Sequence, residues 1–330
     1  MHDVETMLKA LGYIPIPGII KECGIIKKLL NFPRLFFFLL SLNKNDIILF
    51  VIPETAFKIK IINFVKALKH FSTICFVDDF NVLRIQSPTK QIRKAIKLID
   101  ASSCILVPNQ NFATYIQQNG AHKSILIPVQ VWDYLSEFTA CGIKSSQNKL
   151  QIAYAGNLGA WKCPYIFKLN KINKSRLRFH LWGEHINDTI PLPSNCIYEG
   201  AVTPDKIPTV LQQYGWGLAW DGEALDGGVG ISGIYTKYNN THKCGLYLAA
   251  GLPIIAWENS GMAVYIRKQQ VGICIQSLSD LPEVIEKMQD AEYLELCKNA
   301  LAESPKIRSG YYFKTALLHA EAILQGQNRP

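Results

Sequence analysis

The sequence predicts two doubly wound α/β domains in tandem, and three observations carry the prediction. Short, continuous apolar runs alternate with amphipathic helical stretches through both halves, the pattern of parallel strands buried on both faces and joined by crossover helices. A polar, turn-rich and aperiodic stretch at 137–148 separates the halves. Nearly every apolar run of the second half ends in Gly, Asn or Asp, which lines one rim of a sheet with small polar positions. A length of 330 residues suits two cores better than one. The expected division is 1–145, 146–305 and a helical segment, 306–330, that follows a break at Ser304-Pro305 and returns to the first domain.

Helical spacing of Val4, Met7, Leu8 and Leu11 predicts a helix over 3–11, followed by a short edge strand over 13–17. Residues 24–42 read as helical around a break at Pro33. The run 46–52 is a buried strand, and 55–70 an amphipathic helix with Phe57, Ile61, Ile62, Val65 and Leu68 on its apolar face. A second buried strand, 72–77, ends in Asp78-Asp79. A helix over 92–101, a strand over 104–107, a helix over 109–119 and a strand over 124–127 complete the domain. It begins on a helix, so either a first strand is missing ahead of Asp3 or the fold starts there.

In the second half, a strand at 150–155 runs at once into Gly156-Asn157-Leu158-Gly159, ahead of a helix from Tyr165. Such a loop brings backbone close to a phosphate or sugar, although it is neither GxGxxG nor a P-loop. Further strands are read at 177–182 before Gly183, 195–198 before Glu199-Gly200, 215–220 before Asp221-Gly222, 253–257 and 271–275. Trp182 and Tyr198 stand near this rim, where either could flank a base or belong to the core. The glycine-dense stretch 221–238 reads as a mobile loop that orders over ligand, and helices near 281–288, 291–302 and 312–324 close the chain.

Composition sets the bounds. Hydrophobic content of 48% and charged content of 18% exclude a disordered chain. Nine dispersed cysteines, with no CxxC pair and no zinc spacing, read as free thiols of a reducing compartment. The start Met1-His2-Asp3-Val4-Glu5 lacks the features of a secretory signal, and the apolar run 35–40 is too short to span a bilayer, which takes about 20 residues. A cytoplasmic location is expected. The net charge of +9 is uneven, with 17 Lys+Arg against 10 Asp+Glu in 1–145. Either that half meets an anionic surface such as the inner membrane face, or the whole composition is basic. No nucleic-acid partner is expected, and a homo-oligomer stays open.

One stretch carries an electrostatic oddity. Tyr238-Asn239-Asn240-Thr241-His242-Lys243 reads as a polar loop entering a helix that Asn239, Asn240 or Thr241 caps and Gly251-Leu252-Pro253 stops. A lysine in the first turn opposes the macrodipole. A bound phosphate would remove that conflict, since N–H groups, dipole and ammonium would meet on one anion; a solvated lysine beside an ordinary cap is the other reading. Asp78-Asp79 stands at the carboxyl end of a central strand, where α/β sheets place ligands, and could take a proton from an acceptor hydroxyl or serve as a cap.

Together, this block through Pro253, Ala155-Gly156-Asn157-Leu158, Gly217-Leu218-Ala219-Trp220, the segment from Asp78-Asp79 to Arg84, and Ser309-Gly310-Tyr311-Tyr312-Phe313 resemble a bacterial glycosyltransferase family in order and spacing. It is a family of two-domain GT-B enzymes that includes β-1,6-galactofuranosyltransferases of cell-surface polysaccharides and glucosyltransferases that extend N-acetylglucosamine on adhesins. The resemblance covers nearly the whole chain. It implies two Rossmann-like domains facing a cleft, with a UDP-sugar held by the second. Lys243 and the loop Tyr238-Asn239-Asn240 would meet the diphosphate, Gly156-Asn157 would face the phosphates or sugar across the cleft, and His242 counts among the substrate-binding residues. Trp182-Gly183 would lie near the uracil, and Asp221-Gly222 near the donor sugar. No metal and no cofactor is implied, in keeping with the absence of an Asp-x-Asp motif, the UDP-sugar being a substrate. The acceptor would be a hydroxyl of a lipid-linked or protein-linked glycan.

Two departures stand out. The family's first strand is absent, and its His-Asp pair is replaced by Asp78-Asp79, of which Asp79 aligns better as the base. The expected function is hexosyl transfer to a cell-surface glycan. Its alternatives are a GT-B sugar-nucleotide epimerase or phosphorylase, and a non-catalytic glycan-binding partner of another glycosyltransferase.

Overall fold

In the computed structural model the described residues, 2–16, 25–140, 144–172, 176–187 and 189–327, fold as two units. One comprises 1–129 and 313–330, the other 130–312. Cys23, Cys141 and Pro17 lie outside the described residues.

The first unit is a four-stranded parallel sheet in the order β1-β2-β3-β4. Helices α1 (His2–Ala10) and α2 (Ile25–Ser41) precede β1 (Ile47–Ile52), and α3 (Ala56–Lys69) leads to β2 (Ser72–Val77). Two helices, α4 (Asn81–Arg84) and α5 (Thr89–Ile99), precede β3 (Cys104–Val107), and α6 (Gln110–Gln118) precedes β4 (Ile125–Pro128). Strand β2 runs apolar from Ile74 to Val77 because both its faces are covered there, and these four residues are at most 1% exposed. Thr55 caps α3 by accepting from the Lys58 amide, and His70 ends it in the left-handed region at φ 61°.

Residues 13–16 form no strand. Instead the Tyr13 hydroxyl donates to Glu321 at 2.6 Å, and burial together with that carboxylate pushes its phenol up. The expected break at Pro33 is also absent, and α2 passes through it. A proline costs roughly 3 kcal/mol in a helix interior, and burial of Leu35 and Leu39 one turn apart offsets it.

The second unit is a six-stranded parallel sheet in the order β10-β9-β8-β5-β6-β7. In chain order it comprises β5 (Gln151–Ala155), β6 (Arg178–Trp182), β7 (Cys196–Gly200), α7 (Ile207–Leu211), β8 (Trp216–Ala219), α8 (Gly230–Tyr235), α9 (His242–Ala249) and β9 (Ile254–Trp257). Then follow α10 (Ala263–Gln269), β10 (Gly272–Ile275), α11 (Leu281–Lys287) and α12 (Asp290–Ser309). The strand order reverses between β5 and β8, so their carboxyl ends mark a topological switch point. After β5 the chain takes a 3₁₀ form at Pro164–Ile172 rather than the expected α-helix.

The units divide at 129/130 and 312/313, where the sequence suggested 145/146 and 305/306. Residues 130–140 belong to the second unit through buried Val131 and Trp132, and the Tyr134 amide donates to the Ile307 carbonyl at 3.3 Å. Pro305 does not break α12, because Glu303, Ser304 and Ile307 around it are buried and the Ser304 hydroxyl donates to the Ala249 carbonyl. The break falls at Gly310, in the left-handed conformation at φ 77°, and α13 (Tyr311–Gln327) carries the chain back to the first unit. Nor is 221–238 a loose loop. Leu225 is buried, Asp226 bridges Ser277, and Gly227 and Gly228 lie against the Trp257 ring, where a Cβ would come within 1.9 and 2.4 Å of it. Among the described residues no helix is long and apolar enough to cross a membrane.

Candidate functional site

At the switch point β5 and β8 pair only through Ile152–Trp216 and Ala153–Gly217, then part. Tyr247 of α9 holds them open. Its hydroxyl accepts from the Ala155 amide at 2.9 Å and donates to the Leu218 carbonyl at 3.0 Å, replacing the ladder bonds that the divergence would orphan. Its ring fills the space where Gly217 has no side chain, and a Cβ there would lie 2.1 Å from it. Sequence reading missed Tyr247 as a site residue. The available signals were a glycine inside a buried strand and a tyrosine one helical turn beyond Lys243.

Past the strand ends the loops stay linked. The Gly156 amide donates to the Trp182 carbonyl at 3.0 Å, and the Gly183 amide to the Gly200 carbonyl at 2.9 Å. Gly183 has φ 146°, and a Cβ on it would lie 1.7 Å from the Gly156 carbonyl oxygen, so only glycine fits. The Lys243 stem passes over Gly156, with Cε 3.2 Å from where a Cβ would sit. Beneath it lies the Tyr154 ring, 5.1 Å from Nζ to centroid. Burial holds the Tyr154 phenol protonated far into alkali, and its hydroxyl donates to the Asn157 carbonyl at 3.1 Å. The Cys163 thiol, pushed up to about 11 by burial, donates to the same carbonyl.

Lys243 is in the first turn of α9, and of the three candidate caps Thr241 is the one used, accepting from the Lys243 amide. The Lys243 ammonium is held by both Asp221 oxygens, at 2.8 and 2.9 Å, with the two side chains 11% and 13% exposed. The carboxylate thus supplies the anion that the helix start and the ammonium call for. Gly156, Asn157, Asp221 and Lys243 form one cluster at the switch point.

The other candidates surround it in different ways. Gly222, at φ 130°, packs where a Cβ would lie 2.6 Å from the Val229 carbonyl oxygen. The Trp182 indole donates to the Tyr214 hydroxyl at 3.2 Å, and the exposed Tyr198 donates to the Gly183 carbonyl at 3.1 Å. In the turn between α8 and α9, Tyr238 is half-buried and Asn240 fully buried. Asn239 Oδ1 is buried without a hydrogen-bond partner. His242 stacks on Trp132 at 6.2 Å between ring centroids.

Asp78 and Asp79 lie in the first unit just beyond β2, and both their amides donate to the Ile52 carbonyl. The Asp79 carboxylate is paired with Arg84 at 2.5 Å. As a base it would have to share its oxygens with that guanidinium.

Two family models match the chain, the glucosyltransferase 3-like N-terminal domain over 2–129 and the glucosyltransferase 3-like C-terminal domain over 152–320. The chain is 26% identical to the β-1,6-galactofuranosyltransferase WbbI of Escherichia coli (strain K12), over 89% of this chain and 84% of that one. It is 24% identical to glucosyltransferase 3 of Streptococcus parasanguinis, over 86% and 81%. Among solved structures, Anabaena Alr3699/HepE in complex with UDP superposes with a TM-score of 0.64 at 12% identity, covering 97% of this chain and 89% of that one. The apo lipopolysaccharide outer core galactosyltransferase WaaB gives 0.55 at 11% identity, covering 90% and 81%. These likenesses show the GT-B fold that the sequence predicted.

Proposed function

Since the chain belongs to the glucosyltransferase 3-like family, we propose that it transfers a hexosyl group from a UDP-sugar to a hydroxyl of a cell-surface glycan. The observation that carries the reading is Lys243 at the start of α9, directly over Gly156 at the switch point. In such a transfer the bond from the anomeric carbon to the diphosphate breaks, and negative charge grows on the leaving phosphate. An ammonium, the positive end of a helix dipole and a glycine that lets the chain approach closely are what that charge requires, and no metal need supply it. The Lys243–Asp221 pair opens as the diphosphate takes the ammonium, which frees the carboxylate to accept from hydroxyls of the donor sugar. Trp182, Gly183 and Tyr198 flank the base, and Tyr238, Asn239, Asn240 and His242 order the turn beside the phosphates.

Asp79, or Asp78 beside it, takes the acceptor proton. The names of the relatives point to galactofuranose or glucose as the sugar moved, and the UDP and UDP-glucose complexes of the Anabaena protein support UDP as the carrier. Exposed Phe37, Phe57 and Phe64, with the basic surplus of 1–145, support peripheral contact with the cytoplasmic membrane face.

Calorimetry with UDP and a metal chelator present tests the core of the reading. Wild type should bind, and Lys243→Ala should lose on the order of a hundredfold in affinity, the scale of a lost charge-stabilising donor. Equal binding by the two proteins would remove Lys243 from the diphosphate site.

A further inference from the structure

The first unit holds a cavity that the donor chemistry leaves unused. It opens at the carboxyl ends of β1 and β2, is walled by Ile52, Ile59, Phe80, Val82 and Leu98, and has a volume of about 610 Å³. That size and an apolar lining are usual for a site that encloses a small molecule. Its rim carries Lys60, Lys94 and Lys97, all exposed. The acid of the lining, Glu54, is already engaged by Lys58 at 2.9 Å. Helices α3 and α5, which build the walls, hold four basic residues each and no acidic one. Helix α3 also exposes Phe57, Phe64 and Leu68, and Phe57 packs on Phe32 of α2 at 5.3 Å between ring centroids.

A cavity apolar within and cationic at its mouth complements a ligand with a hydrocarbon body and an anionic head. Burial of the chain would supply affinity in proportion to the area removed from water, and the ammonium groups would make charge-assisted contacts to phosphate oxygens. A free sugar matches neither half. Inorganic phosphate would satisfy the lysines and leave the cavity unfilled.

We propose that this cavity takes the lipid of the acceptor, a hydrocarbon chain joined through phosphate to the sugar that bears the accepting hydroxyl. The proposal rests on the transferase reading and names the acceptor class for it. Phe80 of the wall directly follows Asp79, so the proposed base is carried by the same segment that closes the cavity. The exposed aromatics of α3 give the unit a face that can rest on the bilayer from which such a chain is drawn.

The test titrates full-length protein with dodecyl phosphate below its micellar concentration and measures UDP affinity in parallel. Dodecyl phosphate should saturate one site. Ala95→Trp, which fills the cavity, and Lys94→Glu/Lys97→Glu, which reverses two exposed charges, should each weaken it by about tenfold or more, with UDP affinity unchanged. Should Ala95→Trp fail to fold, the surface double variant decides. Failure of dodecyl phosphate to bind, or equal binding by the variants, overturns the proposal. So does inorganic phosphate competing at equal affinity, which would mean an adventitious ion only. A polyprenyl phosphate should displace the probe and vesicles of anionic phospholipid should not; displacement by the vesicles would make the occupant bulk lipid and overturn the acceptor assignment. Loss of UDP binding in wild type with dodecyl phosphate binding intact would sink the transferase reading and leave the cavity's ligand standing.

Discussion

Lys243 stands where a helix macrodipole disfavours a cation, and Asp221 makes the position tolerable. The pair is nearly dry, at 11% and 13% exposure, so removing one partner leaves a buried charge, at a typical cost of about 3–5 kcal/mol. The same geometry makes Asp221 a competitor for the donor's phosphates. Asp221→Asn should therefore bind UDP about tenfold more tightly than wild type, close to 1.4 kcal/mol, while melting earlier. Calorimetry and a thermal scan read both effects, and weaker UDP binding would show that the carboxylate does not compete. At this scale the sequence was legible only where a residue was odd in its own surroundings. Lys243 was conspicuous at a helix start, but its partner lies 22 positions away in another loop, and no periodicity joins them. The Arg84 that holds Asp79 was hidden in the same way, five residues on and past a turn.

The central strands were readable because they carry short apolar runs, Ile74–Val77 of β2 and all of β3, which burial on both faces explains. Helix ends were less so. Pro33 and Pro305 are strong local breakers, yet both sit inside continuous helices, since packing of Leu35 and Leu39, and of Ser304 and Ile307, outweighs the local penalty. Tyr247 was not legible as the wedge between β5 and β8, because its hydroxyl's partners lie on strands remote in sequence. That role is testable. Tyr247→Phe keeps the ring against Gly217 and removes only the hydroxyl, orphaning a buried amide and a buried carbonyl. Urea unfolding should show a loss of about 1–3 kcal/mol, whereas a loss under roughly 0.5 kcal/mol, the level of a neutral surface change, would mean that water or a rearranged ladder does the same task.

The two units have unequal claims to independence. The second is one uninterrupted stretch, 130–312, and contains the whole switch-point cluster, whereas the first is assembled from 1–129 and the return segment 313–330. In that segment Phe313, Leu317, Ala320 and Leu324 are at most 2% exposed, and Phe313 packs edge-on against Phe76 of β2 at 5.0 Å between centroids. Burying Phe313, Leu317 and Leu324 contributes roughly 1.5–3 kcal/mol each, a sum comparable with the whole net stability of a small domain. A fragment of 130–312 should thus unfold cooperatively and bind UDP with the affinity of the full chain. A fragment of 1–129 should expose the face that α13 covers, bind a hydrophobic dye and regain a cooperative transition when a peptide of 313–330 is added. The UDP titration is the sharper half of the comparison. If the 130–312 fragment folds but binds UDP more than about tenfold more weakly, the first unit contributes to donor binding, and the donor site cannot be assigned to Lys243, Gly156 and Asp221 alone.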